Sequence, residues 1–186
     1  MKNPNGSKTI AIDSMILSYY VSATKPEYNP HKDCEKAKDE RVSSLRIPLY
    51  SKWYAILPTL REEYLEIKEI YKLDLHLIAA QVFIEYRQSG FNATEVKKRA
   101  KYFNQHHKGP KNYNDCMLAA EAEFLSDTTV LLSNDDKFIK RVAPLTNGLL
   151  IIRPTEFIAK FGISNNKLRI SPDETHPRYH DKWWRF

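Results

Sequence analysis

Residues 112–138 read NYNDCMLAAEAEFLSDTTVLLSNDDKF, a capped helix, a turn and a buried strand in sequence. Asn114 is a suitable helix cap, and Asp115 opens the helix. Met117, Leu118, Ala119, Ala122 and Leu125 recur at helical period and predict its buried face. Thr128 to Leu132 is short, β-rich and apolar, as expected of a strand covered on both faces. It ends on Ser133, Asn134, Asp135 and Asp136. Two acids here are costly for stability alone. Asp115 shares the stripe of Leu118, Ala119 and Ala122, and a carboxylate placed there needs neutralising. Asp135 stands at a carboxyl strand end, the edge where open α/β sheets bind ligands. Each acid alone could equally be a helix cap or a turn residue, so partners elsewhere in the chain decide between the two.

The amino-terminal part supplies one. Residues 8–12, KTIAI, predict a strand that runs straight into Asp13, and Ser14 to Val21 predicts a helix with Ile16, Leu17 and Tyr20 inward. A second strand is expected within Ile47–Leu57, ending before Pro58, with Thr59 capping the helix LREEYLEIKEIY. In that helix Leu60, Tyr64, Ile67 and Tyr71 form the apolar stripe. Glu62, Glu66 and Glu69 face away from it, whereas Glu63 lies on its edge. Residues 74–90 fit a buried helix, with a short strand as the alternative. Asn92 to Gln105 predicts a helix carrying Lys97, Lys98, Arg99 and Lys101, and His106, His107, Lys108 and Lys111 continue the charge. Adjacent histidines cannot share one helix face, and both are assigned to the surface. Leu149 to Ile152 predicts a last strand, followed by the helix PTEFIAKF. We divide the chain into a domain over 1–161 and a basic, aromatic extension over 162–186, in which Trp183 and Trp184 suit packing or a partner contact.

Composition bounds the partners. The 186 residues carry 29 basic and 23 acidic side chains, a net charge of +6. That balance suits a polyanion such as RNA. No apolar run is long enough for a bilayer, and the first residues lack a secretory apolar core, so a cytoplasmic protein without membrane contact is expected. Two cysteines, Cys34 and Cys116, do not make a thiolate metal site, so a metal would be held by oxygen, as Mg²⁺ or Mn²⁺.

Alternating strands and helices argue an α/β fold, a parallel sheet with helices on both faces. Asp13 and Asp135 then emerge at one sheet edge, and Glu63 and Asp115 lie on helices that start from it. Four converging carboxylates repel one another unless a divalent cation resolves the conflict. Beside a basic surface, such a cation suits phosphodiester hydrolysis by activated water, with 5′-phosphate and 3′-hydroxyl ends expected.

With these residues in place, the chain resembles the PIN-domain nucleases, of the kind found in VapC-type toxins. The likeness is carried by TIAIDSMIL, LPTLREEYLEI, NDCMLAAEAE and VLLSNDDKF, in order, and by the closing LLIIRPTEFIAKF. It implies a five-strand parallel sheet in a three-layer α/β/α fold and a metal-dependent ribonuclease. Asp13, Glu63, Asp115 and Asp135 match the four family acids, and Ser14 and Asn134 match their polar neighbours. The resemblance further implies Asp136 as an additional metal ligand, homodimerisation, and an antitoxin partner. Met15 and Lys137 depart from the family pattern, which bears on a second metal. Lys97, Lys98, Lys101, Lys108 and Lys111 are the expected RNA contacts. A non-catalytic scaffold of the same fold, binding RNA or protein without cutting, is the rival reading.

Overall fold

A computed structural model describes residues 9–24, 35–46, 54–85, 92–107, 112–125 and 128–160. Its strands are β1 (Thr9–Ile12), β2 (Tyr54–Ile56), β3 (Ile84–Glu85), β4 (Thr128–Leu132) and β5 (Leu150–Ile152). The helices are α1 (Ser14–Thr24), α2 (Glu35–Arg46), α3 (Pro58–Leu65), α4 (Ile70–Ala80), α5 (Ala93–His107), α6 (Tyr113–Phe124), α7 (Asp136–Val142) and α8 (Pro154–Lys160). A 3-10 turn, Ala143–Leu145, follows α7.

The strands form one sheet in the order β3-β2-β1-β4-β5, and every neighbouring pair is parallel. Their brevity and apolar content explain this. Ala11, Ile12, Ala55, Ile56, Leu131 and Leu132 are all fully buried, a pattern that only a sheet covered on both faces produces. The covering helices fall into two contact groups. Helix α1 touches α2 and α4, and α2 touches α8; α5 touches α6 and α7. Helix α3 contacts members of both groups, α1 and α6. Leu118 on α6 is 1% exposed within the core. We expect Leu118→Ala to cost about 2–5 kcal/mol, read from chemical unfolding, because the neighbours can only partly close the space.

Strand order decides where a site can form. The chain runs outward from β1 through β2 to β3, then returns to lay β4 on the other side of β1. The order therefore reverses between β1 and β4, and a crevice opens there at the carboxyl ends. Register pairs Ile12 with Leu132. Asp13 and Ser133 thus leave the sheet at the same level.

Several local expectations are corrected. The predicted helix through Tyr71 is two helices: α3 ends at Leu65, and α4 begins at Ile70. Tyr71 is accordingly 50% exposed. The ambiguous 74–90 segment divides between the end of α4 and the short β3, with residues 86–90 outside the described part. Its apolar run is only half buried, since Ile78 and Val82 face outward while Ala79, Ala80 and Phe83 face in. Asn114 does not cap α6; the helix starts at Tyr113, with Asn112 at the cap position and no side-chain capping bond.

Thr59 does not cap α3 either. It is the second residue of that helix, and its backbone N–H and hydroxyl both donate to Glu121 of α6, the hydroxyl at 2.7 Å. The same device recurs at α8, where the N–H and hydroxyl of Thr155 donate to Glu40 of α2. In each case a Pro-Thr start leaves helix N–H groups without partners of their own, and a buried glutamate from a neighbouring helix satisfies them. Glu121 and Glu40 are only 4% and 2% exposed, so these are tertiary capping bonds inside the core.

Among the described residues, no helix is long and apolar enough to cross a membrane.

Candidate metal centre at the sheet edge

Asp13 follows β1 directly and is 7% exposed. Its position is fixed three ways. The Asp13 N–H donates to the Leu132 carbonyl at 3.1 Å, the Ile16 N–H donates to Oδ1 at 2.9 Å, and the Asn134 N–H reaches Oδ2 at 3.4 Å. Burial pushes its pKa up, against the hydrogen bonds from Ser133 and the surrounding backbone, which favour the charged form. Asp13 is thus both the cap of α1 and a bridge to the end of β4.

Asp135 caps α7. The N–H groups of Lys137 and Phe138 donate to its Oδ1 at 2.7 and 3.1 Å, so capping does not consume Oδ2. The Ser133 hydroxyl accepts from the Asp135 N–H at 3.2 Å. Ser133 is buried and also hydrogen-bonds Asp13, tying the two acids together.

Glu63, on α3, is half-buried, and the side-chain amide of Asn114 donates to its Oε1 at 2.7 Å. That bond joins α3 to the first turn of α6, one residue from Asp115. Burial raises the Glu63 pKa and the Asn114 bond lowers it, with Asp13 adding a smaller upward push. Asp115, also half-buried, is pushed up to about 7, first by desolvation and then by the charges of Asp13, Glu63 and Asp135. The four acids therefore lie within electrostatic reach of one another although 122 positions separate the first from the last.

The remaining expected residues fare differently. Ser14 opens α1 and is exposed. Asn134 serves through its backbone N–H, while its side-chain amide donates to the Tyr19 hydroxyl. Asp136 is turned outward, its side chain 58% exposed, and Arg153 pairs with it. It does not join the cluster that Asp115 and Asp135 form, because as the first residue of α7 it points away from the face that Asp135 caps. Lys97, Lys98 and Lys101 lie exposed on one face of α5 and line a groove with Tyr102 and Gln105. Arg99 leaves that basic face. Its guanidinium bonds the Glu123 carboxylate at 2.5 and 2.9 Å and the Leu145 carbonyl at 2.8 Å. Lys108, Lys111 and the aromatic extension from 162 onward lie outside the described residues.

His107 is the residue that sequence reasoning misplaced. Of the adjacent pair, His106 is exposed and His107 is 1% exposed. The His107 ring packs edge-on to Phe138, with centroids 5.6 Å apart, and Arg141 donates to its carbonyl at 3.0 Å. Burial lowers its pKa, so the ring is held toward the neutral form, and the Asp135 charge opposes this. Among the described residues neither ring nitrogen has a hydrogen-bond partner, yet donor atoms of His107, Asp115 and Asp135 all lie within 4.8 Å of one another. The rule that neighbours in a helix face apart was sound; the signal it left unused is the spacing of Val96, Ala100 and Phe103, which His107 continues and His106 does not. Ser133 was legible only as a strand end, and Glu121 was hidden in an Ala-rich helix.

Asp115 and Asp135, with donor atoms within 4.8 Å of each other and of a buried imidazole nitrogen, and with the charges of Asp13 and Glu63 also acting on Asp115, fit a divalent cation. No protein-family model, no curated protein and no solved structure matches the chain.

Proposed function

We propose that the protein is a divalent-metal-dependent ribonuclease of the PIN-like kind, in which Asp13, Glu63, Asp115 and Asp135 hold Mg²⁺ or Mn²⁺. The observation that carries this reading is that Asp13 and Asp135 cap helices at the carboxyl edge where the strand order reverses, with a carboxylate oxygen of Asp115 within 4.8 Å of one on Asp135. When bound, the cation would supply a water of lowered pKa and neutralise charge on the phosphate. The chain's own residues do the rest. Asp13, clamped by backbone N–H groups and Ser133, is the rigid member of the set. Glu63, steadied by Asn114, closes the opposite side. Asp115, pushed up to about 7 first by burial, is the acid able to carry a proton near neutral pH when the cation is absent, and burial raises Glu63 in the same direction.

The lysine face of α5 supports RNA as the polyanion. Helix α5 ends at His107, and Lys101 stands six residues back, roughly 9 Å along the axis at 1.5 Å per residue. A strand bound along Lys97, Lys98 and Lys101 would thus run toward the acids. Replacing all three by Ala is expected to weaken RNA binding uniformly across sequences. The slope of log K against log salt should fall by up to ~2, at ~0.7 for each phosphate no longer neutralised. Binding is measured with Ca²⁺ replacing Mn²⁺; an unchanged slope would remove α5 from the RNA path.

The decisive experiment incubates a mixed RNA pool with the protein and Mn²⁺, with Asp13→Asn as control, and end-labels the products. Metal-dependent cutting to 5′-phosphate ends, lost in the variant, supports the enzyme. RNA binding with no cutting in either protein supports a scaffold instead. A toxin role, with an antitoxin as inhibitor and a homodimer as the working form, extends the same proposal.

A further inference from the structure

His107 sits where none of the four carboxylates explains it. It is 1% exposed, and among the described residues neither ring nitrogen has a hydrogen-bond partner. A buried imidazole in that condition forfeits the hydration it had in the unfolded chain and regains nothing. Its surroundings are not apolar throughout. Phe138 covers one side, but a ring nitrogen, an Asp115 oxygen and an Asp135 oxygen all lie within 4.8 Å of one another. Three donors sharing one transition metal at ~2.1 Å stand ~3.0 to ~3.6 Å from one another, so the trio closes by at most ~1.2 to ~1.8 Å, within the reach of side-chain rotation. These donors come from three elements: the last turn of α5, the first turn of α6 and the cap of α7. Helix α5 packs against both α6 and α7, so the donors are held on a rigid frame.

We propose that His107 is a nitrogen ligand which, with Asp115 and Asp135, makes a mixed nitrogen–oxygen site selecting a first-row transition cation over Mg²⁺. One imidazole and two carboxylates supply a charge of −2, matching a divalent ion. Mg²⁺ takes oxygen donors and demands near-ideal octahedral geometry. Imidazole favours the transition metals, and Mn²⁺ accepts carboxylate and nitrogen together. The inference rests on the proposed metal centre but not on RNA cleavage. It replaces the oxygen-only set expected from the sequence with one that includes His107.

The test uses the full chain freed of metal by a chelator. Mn²⁺ and Mg²⁺ affinities are measured by calorimetry, and nitrogen coupling to bound Mn²⁺ by electron spin-echo modulation. The variants are His107→Phe, which keeps a ring against Phe138, and His107→Gln; metal-free thermal unfolding verifies that each folds. We expect Mn²⁺ to bind the wild type at least about tenfold more tightly than Mg²⁺. In His107→Phe the Mn²⁺ affinity should fall at least about tenfold, with Mg²⁺ affinity nearly unchanged and the nitrogen modulation gone. Bound Mn²⁺ without nitrogen modulation in the wild type overturns the inference and leaves a carboxylate-only nuclease centre standing. Nitrogen modulation in a protein that cuts no RNA sustains the inference and overturns the nuclease reading. Absence of Mn²⁺ binding overturns both.

Discussion

Asp115→Asn is expected to stabilise the metal-free protein while abolishing metal-dependent RNA cleavage. The carboxylate is pushed up to about 7 by desolvation and by Asp13, Glu63 and Asp135, so at pH 8 the native state holds a charge it disfavours. The amide removes that charge and keeps the shape. Asp115 is half-buried, so solvent screens part of the repulsion. After that discount the gain is about 1–2 kcal/mol, or a Tm higher by about 2–8 °C for a chain of this size. In the proposed metal centre the same change deletes a ligand. Cleavage should drop by at least about a thousandfold, corresponding to roughly 4 kcal/mol of lost transition-state stabilisation. Adding Mn²⁺ should raise the Tm of the wild type and leave that of the variant nearly fixed. An ordinary surface or core acid would not show this opposition. If Asp115→Asn lowers stability at pH 8, the carboxylate serves the fold through contacts of its own, and the metal centre loses its main support.

The metal-free protein should also lose stability as the pH rises from about 4 to about 8. Asp115 and Glu121 have ordinary values of 3.8 and 4.5 and are both raised to about 7 in the folded chain. A folded-state pKa above the unfolded one means the native state holds the proton more tightly. The resulting stability is complete below the unfolded values, declines through the interval, and is gone once the pH passes the folded values near 7. Glu121 is 4% exposed, and its rise from 4.5 to about 7 amounts to about 3 kcal/mol. Desolvation is its main cause; Thr59 opposes it, and Glu62 and Glu63 add to it. Chemical unfolding at pH 5 and pH 8 measures the total. Glu121→Gln should remove its share while still accepting from the Thr59 hydroxyl. Mn²⁺ should remove the Asp115 share only, because Glu121 is spent on capping α3. A stability that rises between pH 5 and pH 8 would contradict both assignments.

How far the sequence reaches depends on the range of the interaction involved. Strand and helix positions are written in local periodicity. The apolar runs at 9–12, 54–56, 128–132 and 150–152 form strands because each is short, β-prone and buried on both faces. Asp13 and Asp135 were legible for the same reason, since each lies within three residues of the end of a recognisable strand and caps the next helix. Glu63 was legible from helical phase, which separates it from its exposed neighbour Glu62. Phase failed where a helix breaks, as between Leu65 and Ile70, because no glycine or proline marks that break.

What the tertiary structure alone decided are the pairings between residues distant in the chain. Asn114 reads as a cap, yet its side chain serves Glu63, 51 positions away. Thr59 reads as a cap and is itself held by Glu121, 62 positions away. His107 continues the stripe of Val96, Ala100 and Phe103 at helical spacing, so phase could have marked it as the inward histidine, but only the packing of α5 against α7 sets it beside Phe138 and the acids. The sequence by itself determined the strands other than β3, the helices outside residues 60–80, and the acids Asp13 and Asp135 near two strand ends, because periodicity and strand termini are properties of neighbouring residues. Which buried groups meet across the crevice was decided by strand order and helix packing. Those depend on the whole core closing at once, and no single stretch of the chain encodes them.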